Sequence, residues 1–98
     1  MSVEALGGGR YRVGGALTFD AVRAALEQIP GRFAGDERIE IDLAGVSAAD
    51  SAGLALLIEW YGWAASADKT IRFVSAPSQL RALAQISDME ELLGLNRA

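Results

Sequence analysis

The chain has 98 residues, of which 51% are hydrophobic and 22% are charged, and it carries a formal net charge of −4. This composition predicts one small globular domain, which buries too little surface to spare a large substrate pocket. The absence of cysteine and histidine excludes disulfides, zinc sites built on those residues and catalytic Ser-His triads. The acidic balance argues against a nucleic-acid partner. No stretch approaches the roughly 18 consecutive apolar residues of a membrane span, so we expect a cytoplasmic protein that is not inserted in a membrane.

Hydrophobic periodicity and turn residues divide the chain into elements in the order ββαβαβα, followed by a short C-terminal helix. The Gly7-Gly8-Gly9 triplet indicates a hairpin, because a phosphate-binding loop would lead into a helix and here a strand follows. The predicted elements are strands 2–6 and 10–13, a helix from the cap Thr18 through Ile29 to a stop at Pro30-Gly31, a loop at 33–37, strand 38–43, a connection at 44–49, helix 51–67, strand 70–74, helix 77–86 and a final helix over 88–94. This order predicts a single α/β domain over residues 1–98, with helices packed on a mixed four-stranded β-sheet.

The helix predicted over 51–67 has apolar residues on more than one side. One stripe at helical spacing, expected to pack on the sheet, comprises Leu54, Leu57, Ile58, Tyr61 and Ala65. The other side carries Leu56, Trp60 and Trp63, where an amphipathic surface helix would carry charge. Either the tryptophans form a second core layer beneath the final helix or a neighbouring loop, or they form an exposed patch that binds a partner. We favour the exposed patch, through which the protein could equally associate with itself.

The start of the same helix carries a second signal. Asp50 is the predicted N-cap, and Ser51 lies in the first turn, where unpaired backbone N–H groups and the helix dipole tolerate a phosphate. Two interpretations stay open: Ser51 is a contact or phosphorylation site, or Asp50 and Ser51 only cap the helix while Gly53 permits close packing. The predicted partner-binding residues are Ser51, Leu56, Trp60 and Trp63.

The residues around this helix start resemble a known family. Segment 41–57, IDLAGVSAADSAGLALL, resembles the signature of STAS domains, which are found in sulfate transporters and anti-sigma factor antagonists. The run 50–60, together with LRALA at 80–84, is most similar to the stand-alone STAS subunits of bacterial Mla phospholipid-transport ABC systems, also known as toluene-tolerance proteins. The resemblance covers essentially the whole chain and implies the STAS fold.

The resemblance implies a binding module without catalytic residues, cofactor or metal. Its expected partner is the ATPase subunit of an ABC transporter that maintains outer-membrane lipid asymmetry, in a complex with permease and substrate-binding subunits. The expected location is therefore cytoplasmic and peripheral to the inner membrane. Ser51 matches the family's hydroxyl position, which is phosphorylated in the antagonists and lies in the interface of the transport subunit. Asp50 and Gly53 match the flanking motif positions, whereas Ala52 stands where antagonists often carry a second serine.

Two other functions remain as alternatives. The first is an anti-sigma factor antagonist that is regulated by phosphorylation of Ser51. The second is an enzyme with an acidic metal cluster of Asp20, Asp42 and Asp50, like that of a receiver domain, but the chain is too short for about five βα repeats. We instead expect Asp20 and Asp50 in the first turns of helices and Asp42 on an exposed strand face.

Overall fold

The computed structural model, which describes residues 1–26, 33 and 35–95, contains a mixed four-stranded sheet with the order β1-β2-β3-β4. The strand β1 is antiparallel to β2, and β2, β3 and β4 run parallel to one another. The elements are β1 (Ser2–Gly7), β2 (Arg10–Leu17), α1 (Phe19–Leu26), β3 (Arg38–Ala49), α2 (Ser51–Ser66), β4 (Thr70–Val74) and α3 (Ser78–Ile86). The predicted fold class, an α/β domain with elements in the order ββαβαβα, is confirmed.

Strands β2 and β3 are both longer than predicted. The strand β2 continues through Gly14 and Gly15, and β3 includes all of the predicted connection 44–49. Gly14 lies opposite Gly45, and a Cβ added at Gly14 would come within 3.5 Å of the Gly45 carbonyl oxygen. The two strands therefore approach closely because neither residue has a side chain there, and the glycines continue the strands instead of ending them.

The ends of two predicted helices also differ. The described part of the first helix ends at Leu26, and the predicted continuation to Ile29 and the stop at Pro30-Gly31 lie outside the described residues. The final helix predicted over 88–94 is wrong, because residues 88–95 form turns. Hydrogen bonds in this segment have mixed spacing, from Gly94 N to Glu91 O and from Leu95 N to Glu90 O. Asp88 and Gly94 both have positive φ, outside the right-handed helical region, which leaves little more than one turn between them. The segment is held by buried Leu93 and Leu95.

One face of the sheet is buried beneath the helices. Side chains alternate along the strands, so that every second residue points into the core. The buried strand residues on this face include Tyr11, Val13, Ile39, Ile41, Leu43 and Phe73. They form one cluster with the buried residues of the helices, and the described residues include no buried polar or charged side chain.

Helix α2 packs on the sheet through a face that overlaps only in part with the predicted stripe. Leu54 and Leu57 are buried as predicted, Ile58 and Tyr61 are half-buried, and Ala65 is exposed. Its buried residues are Gly53, Leu54, Leu56, Leu57, Trp60 and Ala64. Its exposed residues include Ser51, Ala55, Glu59, Gly62 and Ser66. The helix is therefore rotated about its own axis relative to the prediction, and its polar residues Ser51, Glu59 and Ser66 share the solvent side.

This rotation places Trp60 in the core, where it is 2% exposed. Its ring packs edge-on against Phe33, with centroids 5.4 Å apart, and Phe33 packs against Tyr11 at 4.8 Å. Leu56 is fully buried. The predicted exposed patch is thus wrong for Leu56 and Trp60. The alternative of a second core layer is correct for Trp60, which packs against Phe33 in the segment between α1 and β3. Phe33 is helical, so the prediction of a loop over 33–37 is wrong at its first residue.

Gly53 determines how closely the start of α2 approaches the sheet. A Cβ added there would lie 2.9 Å from both the Cβ and the carbonyl oxygen of Leu17. We expect Gly53→Ala to lower the free energy of unfolding by about 1–3 kcal/mol, because this contact forces the helix outward.

A matched control lies in the same helix. A Cβ added at Gly62 would meet nothing within 4 Å, so Gly62→Ala should raise the free energy of unfolding by about 0.5–1 kcal/mol through helix propensity. Urea unfolding of the two variants measures both effects. Equal stability of Gly53→Ala and the wild type would contradict the close approach.

Candidate partner-binding site

The start of α2 is fixed to the end of β2 by its cap. The Asp50 Oδ1 accepts a hydrogen bond from Ala52 N at 2.9 Å, and Asp50 N donates to Leu17 O at 3.3 Å. The predicted N-cap is therefore present. Ser51 follows as the first helical residue and is exposed. The backbone N–H groups that follow Ser51 are occupied by the cap, since Ala52 N donates to Asp50 Oδ1 and Gly53 N donates to Asp50 O at 3.0 Å.

Helix α1 runs beside this helix start and forms a groove with it. The groove has a volume of about 440 Å³. Its lining residues are Phe19, Val22, Arg23 and Leu26 from α1 and Asp50, Ser51, Ala52 and Ala55 from α2. The groove is therefore built from the first turns of α2 and from one side of α1.

Apolar side chains dominate this groove, and two large ones remain open to solvent. Phe19 is 61% exposed and Leu26 is 36% exposed, whereas Val22 is buried. The guanidinium carbon of Arg23 lies 5.9 Å from the centroid of the Phe19 ring, close enough for a cation–π contact. Ala55 is small and exposed, so it leaves the groove open on the α2 side. Exposed apolar residues that line a groove are typical of a surface that binds another molecule.

The structure brings together only part of the predicted site. Ser51 and Asp50 line the groove, and Gly53 lies buried beneath them. Trp63 lies away from the groove, half-buried, with its ring centroid 6.0 Å from that of Phe33 and 6.0 Å from Lys69 Nζ. Leu56 and Trp60 are core residues.

The contribution of α1 to this site is not predicted from the sequence. Phe19, Arg23 and Leu26 were not among the predicted site residues, although they line half of the groove. One signal for them is present in the sequence. Phe19 follows the predicted cap directly and lies three and seven residues before Val22 and Leu26, so it extends the apolar stripe of α1 by one turn.

The three aspartates of the alternative metal-cluster hypothesis are held by separate elements. Asp20 lies in the first turn of α1, Asp50 caps α2, and the Asp42 Oδ1 accepts a hydrogen bond from Ala44 N at 2.9 Å. Across residues 1–26, 33 and 35–95, no three Asp or Glu side chains are placed to hold one metal ion.

Comparison with known families decides the assignment of the chain. A family model described as "Mlab, STAS domain" matches residues 4–94. The chain belongs to the STAS-domain family. STAS domains mediate protein–protein interaction and are generally non-catalytic. In the described part of this STAS domain, no helix is both long and apolar enough to cross a lipid bilayer.

Solved structures share this STAS fold at low sequence identity. The unphosphorylated anti-sigma factor antagonist SpoIIAA is 17% identical, with a TM-score of 0.73 over 92% of this chain and 82% of that chain. A sulfate transporter family protein from Wolinella succinogenes is 18% identical, with a TM-score of 0.72 over 98% of this chain and 79% of that chain. A structure named Mglu is 21% identical, with a TM-score of 0.61 over 80% of this chain and 20% of that chain. A search of curated proteins gives no match.

Proposed function

We propose that this STAS domain is a non-catalytic subunit that binds the ATPase subunit of an Mla-type ABC transporter for phospholipids. In this role it supports the assembly and activity of the ATPase, and thereby outer-membrane lipid asymmetry. The domain would lie in the cytoplasm, at the inner membrane only through its complex with the ATPase, permease and substrate-binding subunits. The match of an Mla-named family model to residues 4–94 supports the choice of partner. The single observation that carries the binding site is the apolar α1–α2 groove, with Phe19 exposed beside Ser51.

The chemistry of the groove suits binding better than catalysis. Its functional groups are the Ser51 hydroxyl, the Asp50 carboxylate and the Arg23 guanidinium. A nucleophilic serine needs a base within hydrogen-bond reach. Asp50 instead accepts a backbone hydrogen bond as a helix cap, and the sequence contains no histidine. An exposed aromatic ring among small residues is, by contrast, typical of an anchor at a protein interface.

Co-purification with the ABC ATPase encoded nearest the gene tests this proposal. We expect the wild type to form a stoichiometric complex, and we expect Ser51→Asp to weaken it by about 1–3 kcal/mol, or about 5- to 150-fold. The added carboxylate would lose its hydration inside an apolar contact and would lie next to Asp50.

Ser78→Asp is the matched control, because Ser78 is also exposed and begins α3 just as Ser51 begins α2. This control should bind the ATPase like the wild type. Absence of a complex between wild-type protein and a well-folded ATPase would reject the transporter role. Equal loss of binding in both variants would reject the groove as the contact surface.

A second candidate function is that of an anti-sigma factor antagonist. The exposed position of Ser51 at a helix N-terminus favours it, because the positive end of the helix dipole would stabilise an added phosphate. Incubation with a partner kinase and ATP should then add about 80 Da at Ser51 and release the domain from its partner. An unmodified Ser51 under these conditions would reject this function, and neighbouring genes for a kinase and a sigma factor would favour it.

A further inference from the structure

The face of the sheet that points away from the core carries an ordered set of charges. We call residues that lie opposite one another across neighbouring strands a row. The charged residues in the two central rows are Glu4 on β1, Arg10 and Arg12 on β2, Glu40 and Asp42 on β3, and Arg72 on β4. Alternation along the strands places them opposite the buried residues. The exposed fraction of the ion-paired side chains ranges from 30% for Glu40 to 71% for Arg72. Asp42 is half-buried, and its Oδ1 accepts a hydrogen bond from Ala44 N.

The sign of the charge alternates from strand to strand. Across one row, Glu40 lies between Arg10 and Arg72 and forms ion pairs with both, at 3.3 Å and 3.2 Å. Across the next row, Arg12 lies opposite Asp42 on one side and Glu4 on the other. From β1 to β4 the strands are therefore negative, positive, negative and positive.

We propose that a second copy of this chain docks face to face on this charged sheet, because the pattern is complementary to itself. Consider a two-fold axis that lies between the two sheets, runs parallel to the strands and passes midway between β2 and β3. Rotation about this axis reverses the strand order in the second copy. Each β2 then faces the β3 of the other copy, which brings Arg12 opposite Asp42 at the same height. The Arg10 side chain likewise lies opposite Glu40.

The same charge pattern disfavours a dimer whose two-fold axis also lies between the sheets but runs perpendicular to the strands. Such an axis would place each strand opposite the identical strand of the other copy, for example β2 opposite β2. This orientation would bring like charges together. In the favoured orientation the outer strands also match in sign, although Glu4 and Arg72 are displaced from each other by one row. Arg38, one row lower on β3, would face the uncharged glycine hairpin of the other copy. The arrangement therefore opposes no two like charges directly.

The size of the patch limits the strength of the dimer. Four strands spaced about 4.8 Å apart, over two rows of side chains, form a patch on the order of 300 Å² per copy. Stable interfaces bury about 800 Å² per partner, so this dimer should form only at high protein concentration. Its ion pairs should also respond strongly to salt, since the Debye length falls from about 10 Å at 0.1 M to about 3 Å at 1 M.

Sedimentation equilibrium of the purified protein, up to about 1 mM, tests the proposal through a pair of charge-reversal variants. We expect the wild type to dimerise at about 0.1 M salt and to dissociate at about 1 M salt. Arg12→Glu and Asp42→Arg should each weaken dimerisation at least 10-fold, on the order of a lost charge pair, and an equimolar mixture of the two should restore it. The control variant Arg81→Glu changes the net charge by the same amount as Arg12→Glu. Because Arg81 lies on α3, away from the charged sheet face, this variant should dimerise like the wild type.

Circular dichroism establishes whether each variant is folded. If Arg12→Glu does not fold, Arg12→Gln takes its place, since it should also weaken the dimer. A wild type that stays monomeric up to about 1 mM at low salt overturns the proposal. Dimers that persist in both reversal variants also overturn it, since association would then use another surface, such as the α1–α2 groove. A mixture that stays monomeric overturns the proposed pairing of β2 with β3.

Discussion

Trp60→Ala should lower the free energy of unfolding by about 3–5 kcal/mol, which is a large share of the roughly 5–15 kcal/mol that stabilises a small domain. The side chain is buried between α2 and the sheet, and its removal takes away the ring against which Phe33 packs. Since Phe33 also contacts Tyr11 and Trp63, the cavity would open at the centre of an aromatic cluster. Chemical unfolding in urea or guanidinium measures the loss.

Two further variants distinguish this packing role from others. The Trp60 Nε1 atom is buried and has no hydrogen-bond partner among the described residues, so Trp60→Phe should cost only about 1–2 kcal/mol. Trp63→Ala should cost less than Trp60→Ala because Trp63 is only half-buried. If Trp60→Ala were as stable as the wild type while weakening partner binding, the core position of Trp60 would be contradicted.

Phe19→Ala should weaken the complex with the ATPase by about 2 kcal/mol or more, corresponding to at least about 30-fold in Kd. Its ring is largely exposed in the free domain and lines the groove beside Ser51. Because little of the ring is buried within the domain itself, we expect the free energy of unfolding to change by less than about 1 kcal/mol. Binding would be measured by titration calorimetry or surface plasmon resonance.

Ile86→Ala provides the matched control for this experiment. Ile86 is 83% exposed at the end of α3 and takes no part in the groove. Its removal tests whether loss of any exposed apolar side chain weakens the complex. Equal weakening by Phe19→Ala and Ile86→Ala, or none by either variant, would remove the groove from the interface.

Local sequence patterns predict most of the sheet. Alternation over 38–43 marks the buried side of β3 correctly, since Ile39, Ile41 and Leu43 all point into the core. The glycine triplet marks the hairpin, whose three glycines all adopt positive φ. The extension of β2 through Gly14 was not predictable in this way. Glycine there signals a turn locally, and only the partner strand shows that the missing side chain serves close pairing.

The orientation of α2 was the main error, and it also misplaced the site. Apolar residues surround this helix, so their positions alone hardly define a buried side. The large apolar residues alone do not mark the buried face, because the small residues Gly53 and Ala64 are also buried where the helix lies against the core. The few polar positions, Ser51, Glu59 and Ser66, were the better guide, because all three are exposed on one side.

The position of α1 in the chain links the groove to the way the sheet is assembled. Pairing of β2 with β3 joins residues at least 30 positions apart along the chain, such as Arg10 and Glu40, and α1 lies inside the loop that this pairing closes. The β1–β2 hairpin closes locally and can form first, whereas the parallel pairing must overcome the entropy of closing the larger loop. Phe19 and Ser51 therefore come together in the groove only in a molecule in which β2 and β3 are already paired. A partner that contacts both sides of the groove binds only the folded chain. By mass action, such a partner therefore also raises the free energy of unfolding of this domain.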